Sequence, residues 1–478
     1  MVIALDVGTS SARAALYDER GRAVEGRFHQ IGYRARVTPD GGAELDADTL
    51  FDAAGRCLDH VVAGRVPGDI AAVGVATFWH GLLGFDARGH LTTPVFLWGD
   101  TRSAGDAEIL RSALDEESVR QRTGCHVHST YWPAKLRWLA RAEPAAVART
   151  ATWGSFGEYL ELRLFGTART SVSMASGTGL LDQARVDWDD EALAAAGIDR
   201  SRLFPLTDRA EPERDLLSAW SVRWPALRGV AWFPAIGDGA ASNVGSGCVD
   251  ERHIALNVGT SAALRIVTTA PPIPPRGLWR YRISRARSVI GGATSEGGNV
   301  FAWCRDTLRL PPPDEIERVL SAMSPSDRLT VLPFLAGERS PGWRGAKRAA
   351  IVGLGLDSAP LDILHAMLGA VALRLALVYD LLAPCASPEH TIIASGAATE
   401  HSRAWLQMIA DAIGRPIVRS TEPEATGRGT ALLALEALGL LSDPGADPPL
   451  GATVVPDAAR HARYREALAR QQDLDRRL

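Results

Sequence analysis

Asp6 ends the apolar run VIALD and directly precedes Val7-Gly8-Thr9-Ser10. A carboxylate at a strand end beside a Gly/Thr/Ser turn can hold Mg2+, directly or through water, while the turn's N–H groups receive phosphate oxygens. The alternative is an aspartate that only shapes the turn, a common use of Asp before Gly. The phrase recurs: ALDVGTSSARAALYD starts at residue 4 and ALNVGTSAALRIVT at residue 255. Each copy reads as a β-hairpin around a small-residue turn. Asn257 replaces the acid in the second copy, so only the first offers a strong metal ligand. Two such hairpins predict a duplicated domain with two phosphate-gripping loops facing a cleft, and ATP chemistry is the first expectation.

Asp238 lies in AWFPAIGDGAASNVGSG, where a strand is expected to end at Ile236 and glycines flank the acid. Those glycines let the backbone approach a ligand closely, and the carboxylate could accept a proton from an attacking sugar hydroxyl. The plainer reading is a Gly-Asp-Gly hairpin turn. A polar set for a polyol stands in the N-terminal half. His80 and Gly81 follow the β-branched run IAAVGVA, and FLWGDTRS sets Asp100 two residues before Arg102 beside Trp98. In extended backbone these two share a face, so together they could fork vicinal hydroxyls or a carboxylate, with the indole as an apolar wall. A surface ion pair beside a core tryptophan would look the same. GxxxxGK[ST], HRD and DFG motifs are missing, and Gly353-Leu354-Gly355 is too short for a dinucleotide fingerprint.

With 478 residues the chain is expected to hold more than one core. The formal charge of −4 favours no nucleic-acid partner, and the dense Arg276–Arg287 stretch, with Trp279, Tyr281 and Ile283, reads as strand with a solvated face. Five scattered cysteines form no CxxC pair, which argues against zinc and disulfides and for a reducing cytoplasm. No basic n-region precedes Asp6, so no signal peptide is expected. Residues 361–383 are apolar but carry Asp362, His365, Arg374 and Asp380, so a buried helix is expected there and no membrane span.

Three short strands, a helix at Asp46–Val62 and a strand at 70–76 match the start of a ribonuclease H-like unit. The order returns after a break between Gly239 and Asp250. There the expected elements are the second hairpin and strands around Tyr281 and Val289. Helices at Gly298–Leu308 and 361–383, a strand at 390–395, a helix at Ser402–Ile413, strand PIVRS and a helix at Gly427–Leu438 follow. Pro456–Leu478 reads as a peripheral charged helix without chemistry.

These blocks resemble the FGGY carbohydrate kinases of the actin/Hsp70-like ATPase superfamily, over roughly residues 2–440. DVGTSSAR is similar to that family's first phosphate motif and WGDTRS to its sugar motif. YWPAKLRWL, FLAGERSP, residues 349–368, SGAATEHSRAWLQMIADAIGRPI and EATGRGTALLA follow in the expected order. The resemblance implies an α/β fold, two ribonuclease H-like domains flanking a central cleft. Residues 1–244 would bind sugar and carry catalysis, and 245–478 would bind nucleotide. It implies Mg2+ at Asp6, nucleotide phosphates at Gly8, Thr9, Ser10, Gly259 and Thr260, and Arg13 closing the first block. Gly396 and Ala397 would border adenine or ribose. Asp238 would be the base, with His80, Gly81, Asp100 and Arg102 toward the sugar. Ala397 stands where Gly is expected, and Gly369 where an acid or Gln is usual. Residues 170–182, 297–308 and 332–343 look most like the gluconate kinase branch, while TFWHG is close to a xylulose kinase pattern. An acid substrate needs a cation, which Arg102 or Lys135 could supply, as could others. The expected activity is ATP-dependent phosphorylation of gluconate or D-xylulose at a primary hydroxyl, with a catalytically silent nucleotide-binding homologue as the rival. Sugar and ATP/ADP are the expected partners, without nucleic acid or membrane, and a homodimer is the assembly considered.

Overall fold

Strands β1 (Val2–Val7) and β2 (Ser11–Tyr17) form an antiparallel hairpin, and β3 (Ala23–Gly32) extends it from β2. Helix α1 (Ala47–Val62) is capped by the Asp46 carboxylate, which accepts the Thr49 N–H at 2.7 Å. Its buried stripe of Leu50, Phe51, Ala54, Leu58 and Val61 has the helical spacing read from the sequence. Strand β4 (Ala72–Thr77) then pairs parallel with β1, and the short β5 (Ala231–Trp232) and β6 (Ile236–Gly237) pair parallel with β4. The sheet order β3-β2-β1-β4-β5 is that of a ribonuclease H-like unit. In this computed structural model residues 1–269, 273–325 and 327–478 are described.

Helix α2 (Asp238–Gly245) leaves the first sheet, and the second half repeats its plan. Strands β7 (His253–Val258) and β8 (Ala262–Thr268) make the second hairpin. Strands β9 (Trp279–Arg282) and β10 (Ser288–Thr294) meander beyond β8. After α3 (Gly298–Thr307) and α4 (Pro360–Leu382), β11 (Thr391–Ser395) pairs parallel with β7. Helix α5 (Arg403–Ile413), β12 (Ile417–Ser420), α6 (Ala425–Ala437), β13 (Leu450–Val454) and α7 (Ala458–Arg477) complete the chain. The order β10-β8-β7-β11-β12 matches the first sheet strand for strand. The long apolar α4 lies inside the second core, with Leu364, Met367, Val371, Leu375 and Val378 fully covered.

Two sequence expectations change. Strand β9 has no solvated face: Arg280 and Arg282 are buried with their neighbours, because β9 packs against the first domain. The Arg280 N–H donates to Gly124 O at 2.9 Å, and the Arg282 N–H donates to Ser176 Oγ at 2.8 Å. The terminal helix α7 is not peripheral, since Tyr464, Leu468, Gln471 and Asp475 form one buried stripe. Gln471 donates to Val331 O at 2.9 Å, and Asp475 closes a charge network with Arg344, Lys347, Arg374 and Glu338.

The halves meet where α2 crosses α6. A Cβ at Gly245 would lie 1.7 Å from the Ala425 carbonyl oxygen, and one at Gly429 would lie 1.8 Å from the Ala241 carbonyl oxygen. The backbones therefore touch, and no larger residue fits. Helix α6 also reaches the first sheet, since a Cβ at Gly74 of β4 would come within 2.8 Å of Thr430 O. A helix late in the chain thus packs on the first sheet. Gly429→Ala is expected to destabilise the fold by at least ~1–3 kcal/mol through overpacking against backbone, read by denaturant unfolding.

Candidate active site

The carboxyl ends of β1, β4 and β6 converge, the place where open α/β sheets bind ligands. Asp6 lies in register with Ala76, while Ile236 and Gly237 lie in register with Ala76 and Thr77. Asp6, His80 and Asp238 therefore emerge at one edge from three adjacent strands. Asp238 is the first residue of α2, so the structure shows a strand-to-helix junction in place of the Gly-Asp-Gly hairpin turn.

Asp6 is almost fully buried, and its direct cross-strand neighbour Arg13 donates to Oδ2 at 3.3 Å. Arg13 also faces Glu424 at 3.6 Å. Oδ1 of Asp6 is buried without a partner. Burial pushes the Asp6 carboxyl up to about 7, against the pull of Arg13, and Asp238 and Glu424 add to the rise. The turn beside it closes through Gly8 N–H to Ser11 O at 3.0 Å, while Tyr33 Oη donates to Gly8 O at 2.6 Å. Gly8 and Thr9 are half-buried and Ser10 is exposed.

Asp238 is half-buried, and its Oδ1 accepts the Gly239 N–H at 2.7 Å. Burial raises its carboxyl above the usual range, opposed first by Arg265 and also by Arg339. Trp79 fills the space behind it: a Cβ at Gly237 would lie 1.9 Å from the indole, so only glycine fits there. The indole N–H donates to Ser173 O at 2.9 Å.

His80 holds a left-handed backbone, φ 69°. Lys135 Nζ fixes that segment by donating to His80 O at 3.2 Å and Thr130 O at 2.7 Å. Burial drives the His80 ring far below its usual pKa, so it is neutral at pH 7. Its Nδ1 meets the Gly177 carbonyl at 2.5 Å and must therefore carry the proton, which leaves Nε2 an acceptor for a hydroxyl. Gly81 sits under Phe78, where a Cβ would lie 2.5 Å from the ring.

Asp100 and Arg102 come together, but with each other. Arg102 Nε donates to Asp100 Oδ1 at 3.1 Å, Nη2 donates to Glu44 Oε1 at 2.6 Å, and the guanidinium stacks 4.5 Å from the Trp138 centroid. Arg102 is thus engaged inside the protein, and Lys135 is tied to two carbonyls. The face of Trp98 carries Arg339, whose guanidinium carbon is 4.9 Å from the ring centroid.

In the second domain Asn257 donates to Ser395 Oγ at 3.2 Å, and the Gly259 N–H donates to Ser261 O at 2.9 Å. Gly298 and Asn299 donate to the carbonyls of Gly259 and Thr260, which fastens that turn to α3. Gly396 takes φ 100°, and a Cβ there would lie 2.7 Å from Val258 O. Ala397 is the first residue of a short helix, Ala397–His401, and is exposed. The left-handed conformation falls on Gly396, so this backbone accepts an alanine next to it. At Gly369 a Cβ would meet nothing closer than 3.7 Å, so the missing side chain leaves space beside Met408 and Tyr464.

Sequence reading gave no role to Arg265, Arg339, Trp79 or Glu424. Arg265 was signalled by being one cation in the apolar run AALRIVT, and Arg339 by lying in FLAGERSP.

Residues 1–245 match the N-terminal domain of the FGGY family of carbohydrate kinases, and residues 254–438 match its C-terminal domain. The chain belongs to that family, and it is an ATP-dependent carbohydrate kinase. It is 28% identical to a gluconokinase of Bacillus subtilis over 92% of this chain and 88% of the relative. It is 27% identical to a xylulose kinase of Escherichia coli over 97% and 96%. A gluconate kinase and a ligand-bound xylulose kinase from Lactobacillus acidophilus each superpose with TM-score 0.90 at 26% identity, covering 100% of this chain and 98% of theirs. Equal values for the two names leave the sugar to be argued from the site.

Asp6 carries a pH prediction. Its carboxyl titrates near 7 when folded and near 3.8 as the unperturbed group, so the folded state keeps a proton that the unfolded chain releases between those values. Its contribution is fully present below about pH 4 and lost as pH rises through about 7. In ligand-free protein, Asp6→Asn is expected to raise Tm more at pH 8 than at pH 5, measured by calorimetry.

Proposed function

We propose that this kinase phosphorylates a sugar or sugar acid at a primary hydroxyl, with gluconate as first substrate and D-xylulose as second. The reading rests on Asp238, a carboxylate of raised pKa at the strand edge it shares with the Asp6 turn and the neutral acceptor of His80. A base of that kind takes the proton of a hydroxyl as it attacks phosphorus, while positioning and charge neutralisation supply most of the acceleration. We assign the turns at Gly8, Thr9, Ser10, Gly259 and Thr260 to the phosphates, with Arg13 holding Asp6 in place. Gly396 and Ala397 would border adenine or ribose. His80 and Gly81 form the sugar side, where Asp100 and Arg102 act by bracing the loop around Trp98. Closure of the cleft would exclude water, so that phosphate goes to the sugar.

Mg2+ is part of this proposal. Among the described residues no cluster of three or more His, Cys, Asp or Glu side chains could hold a metal. Mg2+ needs none, because one or two carboxylates, substrate phosphates and waters satisfy it. The buried, unpartnered Oδ1 of Asp6 beside the phosphate turn fits that pattern. When bound, Mg2+ would neutralise charge on the phosphates. A cytoplasmic location, where ATP is available, belongs to the same reading. A silent nucleotide-binding homologue would have no need of both Asp6 and Asp238, and this chain keeps both.

Asp238→Asn is expected to lower sugar-dependent ADP release by about three orders of magnitude, with ATP affinity changed only a few-fold. Turnover equal to the native enzyme's would remove Asp238 from the mechanism. A coupled ADP-release screen over gluconate, xylulose, ribulose, glycerol, fuculose and rhamnulose is expected to show gluconate first. A panel without any sugar-stimulated turnover would favour the silent reading.

A further inference from the structure

Along β8, Leu264 and Ile266 enter the second core, while Val267 joins the first core across the domain interface. Arg265 shares the face of Val267 and so projects toward the first domain. Two glycines give it room. A Cβ at Gly291 would lie 2.9 Å from Arg265 Cγ, and one at Gly239 would lie 3.2 Å from Arg265 Cζ. The side chain thus runs from the second sheet to the residue after Asp238. Its Nε and Nη1 are buried without a hydrogen-bond partner. Arg339 arrives from the 334–341 segment over Trp98, is itself buried, and its Nε is also unpartnered. Guanidinium nitrogens buried without hydrogen bonds are costly, and those of Arg265 and Arg339 leave a place for an anion.

The transferred phosphate is one such anion, but the layout is against it. The second phosphate turn ends at Ser261, and four residues of strand put the Arg265 backbone about 13 Å farther on. Asp6 is influenced by Arg13, Asp238 and Glu424, whereas His80 is influenced by Arg339 and Lys135. Arg265 and Arg339 both act on the Asp238 carboxyl, and Arg339 acts on His80 as well, whereas the charges that act most on Asp6 include neither arginine. Arg102 is engaged with Asp100 and Glu44, so it is not the cation left for an acid substrate.

We propose that Arg265 and Arg339 form a carboxylate subsite that takes the acid end of a sugar acid whose hydroxyl lies at Asp238. A planar fork suits a carboxylate bidentately, which makes this pair the determinant for aldonates over neutral sugars. The inference rests on the kinase reading above and narrows its substrate class.

The test compares kcat and KM for gluconate and D-xylulose in the native enzyme, Arg265→Met, Arg265→Lys and Arg339→Met. In each Met variant the ratio of kcat/KM for gluconate over xylulose is expected to fall about 100-fold, mainly through a higher KM for gluconate. Arg265→Lys should recover part of that loss, because it restores charge without the fork. Thermal unfolding checks that each variant is folded. A ratio unchanged within three-fold, or a fall in kcat shared by both sugars with KM unchanged, would overturn the subsite and assign the arginines to phosphoryl transfer. Native turnover of xylulose without any aldonate would overturn the subsite alone. Absence of turnover on every sugar would overturn the kinase reading as well.

Discussion

The contact on which the site depends carries no charge. Helices α2 and α6 cross with backbone against backbone at Gly245 and Gly429, where a single Cβ would fall far inside van der Waals contact with a carbonyl oxygen. Helix α2 begins at Asp238, so its seat on α6 fixes where that carboxylate stands. Helix α6 also lies on β4 of the first sheet, and Glu424, just ahead of it, meets Arg13, which in turn holds Asp6. One close approach between helices from opposite halves of the chain therefore sets both carboxylates. A motion that opened the cleft would have to bend around this crossing.

On that frame the protein holds charges that the fold satisfies only in part. Asp6, Asp238, Lys135 and Arg265 are all displaced by burial toward their uncharged forms. Each costs stability in the free protein. The pattern differs at Arg102 and at Asp475, where carboxylates and guanidinium groups are mutually satisfied. The paired charges at Arg102 and Asp475 brace the scaffold, whereas Asp6 and Asp238 stand at the carboxyl edge of the first sheet. The contrast is between charges satisfied within the scaffold and charges satisfied only in part.

It also explains what could be read in advance. The hairpins, their Gly-Thr-Ser turns, α1 with its Asp46 cap and the buried α4 follow from local periodicity and turn chemistry, and the structure has them within a residue or two. What was not legible depends on partners far away in the chain. Arg102 and Asp100 are i and i+2 on paper, but Glu44 and Trp138 decide that the guanidinium is engaged. The β9 arginines read as solvated because nothing local shows that Gly124 and Ser176 cover them. The buried stripe of α7 exists only because Val331 and the Glu338 network lie opposite. Arg265 was visible only as an oddity in an apolar strand.

The duplication shows how a symmetric fold acquires an asymmetric site. In the first hairpin Asp6 faces Arg13 across the strands, while in the second Asn257 faces Ala263. Beside them, Asp6 has Ala76 on the parallel neighbour and Asn257 has Ser395, whose hydroxyl accepts from its amide. The second copy is neutral and satisfied internally, so it serves through backbone shape: a turn fastened to α3 and a left-handed Gly396. The first copy keeps a buried carboxylate with one oxygen free. An oxygen of that kind is stabilised by a ligand that brings positive charge, and the opposite arrangement at Arg265 is stabilised by one that brings negative charge.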